Sequence, residues 1–106
     1  MSAFDNGLIP AEAERLAILA EECGEVIQVV GKILRHGYPS HNPNDPKGIS
    51  NRGLLAKELG DLDWIVCLME SEGDFAVGAR AQRKRLKVES ARPYLHHQRE
   101  VVGNDQ

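Results

Sequence analysis

The side chains best suited to chemistry in this sequence are two groups of acids, the run EECGE from position 21 and the run ELGD from position 58. Each group contains two carboxylates three residues apart, Glu22 with Glu25 and Glu58 with Asp61. On an α-helix, residues i and i+3 share one face and lie one turn apart. The two carboxylates of each pair can therefore bind the same cation, provided that both segments are helical.

Acids at helical spacing are most often a solvated surface, and this explanation covers the majority of Glu-rich helices. The positions of the two pairs argue against it here. The second pair lies in line with Leu54 and Ile65 on the stripe that should face the core. The first pair is bracketed in the same way by Ile18 and Val29, on a stripe beside the main apolar face. Both pairs are therefore predicted to point inward.

Several ionised carboxylates in a partly dry site need a counter-charge, and a divalent cation supplies it. Oxygen ligands without Cys or His select a hard ion, which we expect to be Mg²⁺, with Mn²⁺ as a substitute. A di-iron bundle is excluded because no His has a Glu three residues before it, and an EF-hand is excluded because no Glu closes the loop around Asn42. Carboxylate-bound Mg²⁺ suits phosphate chemistry, since open positions remain for phosphates and water.

The order Glu-Glu-x-x-Glu, loop, Glu-x-x-Asp resembles the MazG-like branch of the all-α nucleoside triphosphate pyrophosphohydrolases, over roughly residues 10–90. The resemblance implies Mg²⁺-dependent hydrolysis of nucleoside triphosphates between the α and β phosphates, which releases a monophosphate and pyrophosphate. Glu21 matches the first acid of the motif and could hold a second ion or orient the attacking water. The metal ligands implied by the resemblance are Glu22, Glu25, Glu58 and Asp61.

Phosphate groups also call for cations, although each one taken singly is more often a solvated surface residue. Trp64 could stack on a base, but packing in the core or at a subunit interface is the better interpretation because its helix is apolar nearly all round. Asp63 points away from the metal stripe and is expected at the surface or an interface. The candidate substrate-binding cations are Lys32, Arg35, Arg52, Lys84 and Lys87.

The first two predicted helices carry the acids. Helix 1 is predicted from Pro10 to about Arg35, with Gly37 as its stop signal. A proline-rich loop, expected to be mobile, spans 37–49. Helix 2 is predicted to be capped by Ser50 or Asn51 and to end near Gly73.

Asp74 is predicted to cap a third helix that runs to about Ser90, before the break at Pro93. Residues 1–9 and about 94–106 are interpreted as tails, although a short helical turn at 94–106 is the other possibility. The prediction is one all-α domain over 1–106, an antiparallel bundle of three to four helices. We expect homo-oligomerisation, as a homodimer or homotetramer, to complete its core.

Composition and charge restrict the partners and the cellular compartment that we expect for this protein. A net charge of -3 lacks the broad basic surface of a nucleic-acid binder, so no nucleic-acid partner is expected. Without a signal-like or membrane-spanning apolar run, and with Cys23 and Cys67 interpreted as core residues of a reducing compartment, we expect a cytoplasmic protein with no membrane partner. Two alternatives stay open: a phosphoribosyl-ATP pyrophosphohydrolase, and a non-catalytic helical metal-binding or interaction module.

Overall fold

The computed structural model describes residues 5–99, and every regular element within this range is helical. The all-α prediction is therefore confirmed for the described part of the chain. No helix in that part is long and apolar enough to cross a membrane. The elements are α1 (Pro10–His36), α2 (Asn51–Ser71), α3 (Ala79–Ala91) and a short 3-10 helix (Arg92–Tyr94).

Helix α1 begins and ends at the signals predicted from the sequence. Pro10 occupies its first turn, and the Glu12 carboxylate accepts a 2.9 Å hydrogen bond from the backbone N–H of Ile9. At the other end Gly37 has φ of 87°, a conformation that favours glycine, and its N–H donates to the carbonyl of Ile33 at 2.7 Å. The helix thus stops one residue after the predicted Arg35.

Helix α2 is capped by Ser50, whose Oγ accepts a 3.2 Å hydrogen bond from the N–H of Gly53. Asn51, the other predicted cap, instead joins the two helices. Its side chain donates to the carbonyl of Gly37 at 3.1 Å, and its backbone N–H donates to the carbonyl of Ser40 at 2.7 Å. These bonds place the end of α1 beside the start of α2, so the two helices run antiparallel.

The core lies between α1 and α2 and is small. Ile65 is completely buried, and Val29 and Met69 are the other buried apolar residues of the described range. The radius of gyration is 17.9 Å, whereas a compact chain of about 100 residues has a value of about 13 Å. The described part of the chain is therefore open, with much of its apolar surface uncovered.

The predicted cap of the third helix is wrong. Helix α3 has Gly78 as its N-cap, with φ of 88°. The Asp74 carboxylate accepts two hydrogen bonds from the buried guanidinium of Arg15, at 2.7 and 2.8 Å. A bidentate pair between charged groups is stronger than a single cap bond, which explains why Asp74 turns to Arg15. The Glu70 carboxylate instead accepts a 3.0 Å hydrogen bond from the backbone N–H of Gly78.

Helix α3 does not pack against α1 or α2 within the described residues. An ion pair of 3.1 Å between Arg80 and Glu70 links it to α2. For residues 94–106 the sequence left two alternatives, a tail and a short helical turn. Tyr94 belongs to the 3-10 helix, and residues 95–99 have no helix. Residues 100–106, like residues 1–4 of the predicted N-terminal tail, lie outside the described range.

The prediction that the two cysteines are core residues is also wrong for this chain. Cys23 and Cys67 are both exposed. Each helix of the α1–α2 pair uses one face for the contact, and both cysteines lie on faces that the chain leaves uncovered. The thiol of Cys67 donates to the carboxylate of Asp63 at 3.8 Å, and Asp63 is exposed as predicted.

Candidate metal centre

Three of the predicted ligands converge on one point between the helices. Glu22 on α1 and Glu58 and Asp61 on α2 each offer a carboxylate oxygen, and these three oxygens lie within 4.8 Å of one another. Glu58 is buried, with 8% of its surface exposed, while Glu22 and Asp61 are half-buried. A solvated charged face would not bring carboxylates from two helices so close together.

The local sequence explains this convergence. The i, i+3 spacing puts Glu58 and Asp61 on one face of α2, and the completely buried Ile65 lies one turn further along that face. Because Ile65 anchors this face against α1, the two acids must lie at the helix–helix contact. The antiparallel arrangement then brings Glu22 opposite them.

The cluster carries a net negative charge, and the raised pKa of Glu22 reflects it. Partial burial raises the pKa of Glu22, and the neighbouring charges of Asp61 and Glu58 raise it further. Three carboxylates held this close repel one another, so the arrangement favours the entry of a cation.

A cation of the chain itself already contacts the cluster. The ammonium of Lys57 lies 3.0 Å from the Oδ2 of Asp61 and 3.6 Å from the Oε1 of Glu58. The hydrogen bond to Asp61 raises the pKa of Lys57. Sequence reasoning missed this residue, although its i, i+4 spacing to Asp61 was a usable signal.

The other two acids of the first motif lie near the cluster but outside the group of three. Glu25 is half-buried one turn after Glu22, and Glu21 is exposed. The charges of both contribute to the raised pKa of Glu22. Their roles as a fourth ligand and as a water-orienting or second-ion residue stay predictions.

Two of the predicted cations line a cavity close to the acids. Lys32 and Arg35 border a space of about 620 Å³ at the end of α1, which also reaches Asn51 and Leu54 of α2. Leu54 precedes Glu58 by one turn, so this cavity opens about 6 Å along α2 from the cluster. Along α1 itself, Lys32 and Arg35 lie about 15 and 20 Å beyond Glu22, since an α-helix rises about 1.5 Å per residue.

The remaining predicted cations lie elsewhere. The guanidinium of Arg52 stacks over the ring of Tyr38, 4.6 Å from its centroid. Lys84 and Lys87 line a separate cavity of about 560 Å³ along α3. Because α3 does not pack along α1 or α2 in the described range, the chain itself does not bring these two lysines to the acids.

The donor set fits a hard divalent ion. The group of three contains carboxylates alone, without the Cys or His that zinc and copper prefer. Two oxygens bound to the same Mg²⁺ lie at most about 4.2 Å apart, since each metal–oxygen bond is about 2.1 Å long. The spacing of the three oxygens is close to that value, so small side-chain rotations suffice to bind one ion.

The family comparison agrees with this geometry. The family model described as the MazG nucleotide pyrophosphohydrolase domain matches residues 11–96, which include α2, α3, all but the first residue of α1 and every acid of both motifs. No curated protein and no solved structure matches the chain. The match spans most of the 106 residues. The chain therefore belongs to the MazG nucleotide pyrophosphohydrolase family.

Proposed function

We propose that this chain hydrolyses nucleoside or deoxynucleoside triphosphates between the α and β phosphates, giving a nucleoside monophosphate and pyrophosphate. The observation that carries the proposal is the convergence of Glu22, Glu58 and Asp61 in a member of this family. Three carboxylates with a single lysine beside them repel a polyanionic substrate, so the reaction requires a bound cation. The family match and the carboxylate donor set support Mg²⁺ in that role, with Mn²⁺ as a substitute.

In this proposal the metal ligands are Glu22, Glu25, Glu58 and Asp61. These residues would hold the ion, which would neutralise phosphate charge and help to activate water. Partial burial and the neighbouring acids raise the pKa of Glu22, and only its ionised form can act as a ligand. The buried Glu58 holds its position through the packing of α2, whereas the more exposed Glu21 is free to orient the attacking water or to hold a second ion.

In this proposal the basic residues bind the phosphates and the nucleoside of the substrate. Lys32 and Arg35 face the cavity beside the acids, so we assign to them the part of the substrate that extends away from the reacting phosphate. Lys57 is 58% exposed, and its ammonium is free to turn from Asp61 to a phosphate oxygen once another cation holds the acids. Lys84 and Lys87 can join the site only from another copy in the homodimer or homotetramer that we expect.

The test combines a substrate panel with a matched pair of variants. The purified chain is incubated with Mg²⁺ and canonical triphosphates, modified triphosphates or phosphoribosyl-ATP, and the products are resolved. The proposal expects monophosphate and pyrophosphate from triphosphates. Diphosphate and phosphate as products would contradict it, and turnover of phosphoribosyl-ATP alone would favour the alternative enzyme.

Glu58→Gln removes one charge from the cluster without changing its size, whereas Glu14→Gln makes the same change at an exposed position of α1. We expect Glu58→Gln to lower kcat/KM by about 100-fold or more, since even the supporting partners of metal ligands are worth about 10–100-fold. Its helical circular dichroism spectrum should match that of the wild type. Equal activity in the two variants would show that the metal assignment is wrong.

A further inference from the structure

Trp64 is the one tryptophan of the sequence, and it lies on α2 next to the acidic cluster. The residue is 56% exposed, so it does not pack in the core of its own chain, which was one of the two places expected for it. It follows Asp61 by three residues and Lys57 by seven, and these intervals place all three on one side of α2. The fold thus leaves a large aromatic ring at the surface within one helical turn of a predicted metal ligand.

The acidic cluster opens to solvent on the side of α2 where Trp64 lies. At about 100° per residue, Asp61 lies about 60° round the helix from Glu58, and Trp64 lies about 60° further in the same direction. Exposure rises in the same order, because Glu58 is buried, Asp61 is half-buried and Trp64 is exposed. This side of α2 therefore offers a substrate an open approach to the carboxylates.

Helix geometry directs the indole of Trp64 toward the cluster. Long and aromatic side chains of an α-helix point back toward its N-terminus and cover the turn before their own Cα. For Trp64 that turn contains Gly60 and Asp61. A Cβ added at Gly60 would have no neighbour within 4 Å, so the surface there is open and the fold of the chain does not require glycine. Glycine weakens a helix interior but lets a ligand approach the backbone closely.

The chemistry of this surface fits a nucleotide. A nucleobase is flat and aromatic, and stacking on an exposed aromatic side chain is a common way to bind it. On the other side of Asp61, the ammonium of Lys57 suits a phosphate oxygen. The order along α2 is therefore indole, carboxylate and ammonium, which matches the order of base, α phosphate and pyrophosphate in a nucleoside triphosphate.

The other aromatic residues that the structure describes are less suited to this role. The ring of Tyr38 already carries the guanidinium of Arg52 over its face. Phe75 is half-buried in the loop after α2, and Tyr94 follows α3, which does not pack along α1 or α2. Among the described aromatic residues, Trp64 alone lies within one turn of an acid of the cluster on the same helix.

We propose that Trp64 stacks on the base of the nucleoside triphosphate, whose α phosphate lies at the acidic cluster and whose β and γ phosphates extend toward Lys57. The inference rests on the proposed hydrolysis for the nature of the substrate and adds the residue that binds its base. Gly60 lets the base lie against the backbone of α2. Because the base does not change during the reaction, loss of the contact should raise KM and leave kcat unchanged.

The first test uses the fluorescence of Trp64, which is the only source of tryptophan emission in the chain. The chain with Mg²⁺ is titrated with α,β-methylene analogues of the four common nucleoside triphosphates, which resist cleavage at the proposed bond, and with inorganic tripolyphosphate, which lacks a base. Calorimetry on the same samples identifies the compounds that bind. We expect quenching by every analogue that binds and none by tripolyphosphate. Equal quenching by tripolyphosphate, or binding of the analogues without quenching, would overturn the inference.

The second test compares three variants by calorimetry and by steady-state kinetics. Trp64→Leu keeps an apolar side chain without a ring, and it should weaken binding of the analogues and raise KM by about 10-fold each. Trp64→Phe keeps a ring and should stay within about 3-fold of the wild type. Tyr94→Leu removes a ring that is 79% exposed outside the site, and it should change neither quantity. Equal affinities in Trp64→Leu and Tyr94→Leu would refute the contact.

Two further measurements separate stacking from a structural role. Tripolyphosphate should bind Trp64→Leu as tightly as it binds the wild type, and an equal loss for tripolyphosphate and the analogues would contradict base stacking. Gly60→Val fills the open surface beside the indole and should weaken the analogues alone, so unchanged binding of the analogues would refute the placement of the base. The mass by sedimentation equilibrium should be the same for Trp64→Leu and the wild type, since a lower mass would place the indole in a subunit contact.

The outcomes for the base contact and for the proposed hydrolysis are separable. Hydrolysis of triphosphates with the same KM in Trp64→Leu and the wild type would refute the base contact alone. Quenching by bound analogues, without hydrolysis of any triphosphate, would refute the proposed activity alone.

Discussion

Truncation of Ile65 should destabilise this protein more than any other single aliphatic change within the described residues. Ile65 is completely buried, so Ile65→Ala loses its full transfer free energy and leaves a hole beside the acids. Such changes cost about 2–5 kcal/mol, and we expect about 3 kcal/mol because two helices can partly close on the hole. Since about 1 kcal/mol lowers Tm by about 4–8 °C in a domain of this size, Tm should fall by about 12–24 °C.

The assay is urea and thermal unfolding followed by circular dichroism at 222 nm, at one protein concentration so that the comparison does not depend on self-association. Val77→Ala is the matched control, since Val77 is 84% exposed in the loop before α3. We expect the control to change the unfolding free energy by less than about 0.5 kcal/mol. The slope of free energy against urea should stay the same in both variants.

Equal destabilisation by the two truncations would refute the packing of α1 on α2 described above. The same result would also contradict the proposed metal site, because the face of α2 that carries Ile65 also carries Glu58 and Asp61. If that face were exposed, the three carboxylates would have no reason to meet. Unfolding of Ile65→Ala at a Tm close to that of Val77→Ala is therefore the decisive adverse result.

Three further changes test the electrostatics. The pKa of Asp74 is lowered by its hydrogen bonds from Arg15, so its contribution to stability is present above its ordinary pKa of 3.8 and is lost as pH falls through the lowered value. Asp74→Asn should lower Tm at pH 7 and flatten the acid limb of a Tm–pH profile; an unchanged Tm at pH 7 would contradict the pair. The pKa of Glu22 is raised by partial burial and by its acidic neighbours, so its ionised form destabilises the metal-free fold above that pKa. Glu22→Gln should raise Tm in EDTA at pH 7 but not below about pH 4, where the wild-type carboxyl is already protonated, and a lower Tm at pH 7 would count against the cluster. Lys57→Met should tighten Mn²⁺ binding by about 2- to 5-fold in calorimetry, since the ammonium competes for Asp61. Lys47→Met, in the exposed loop, serves as its control, and equal affinities for the two variants would show that Lys57 does not compete.

Local signals in the sequence predicted three helix ends and the inward direction of the two acids on α2. Pro10, Gly37 and Ser50 set three helix ends because each acts through its own backbone conformation or a bond to a residue three or four positions away. The inward direction of Glu58 and Asp61 followed from helical periodicity alone. Helix geometry is the same in every protein, so such inferences need no knowledge of distant contacts.

Tertiary structure decided the features that depend on distant partners. Asp74 was expected to cap the next helix, yet it bonds to Arg15, which lies 59 positions earlier in the chain. The cysteines were expected in a core, but a two-helix contact covers one face of each helix and leaves both thiols exposed. Local pattern sets how a side chain is placed on its own helix, whereas the choice among competing partners depends on free energies that arise only when separate segments meet.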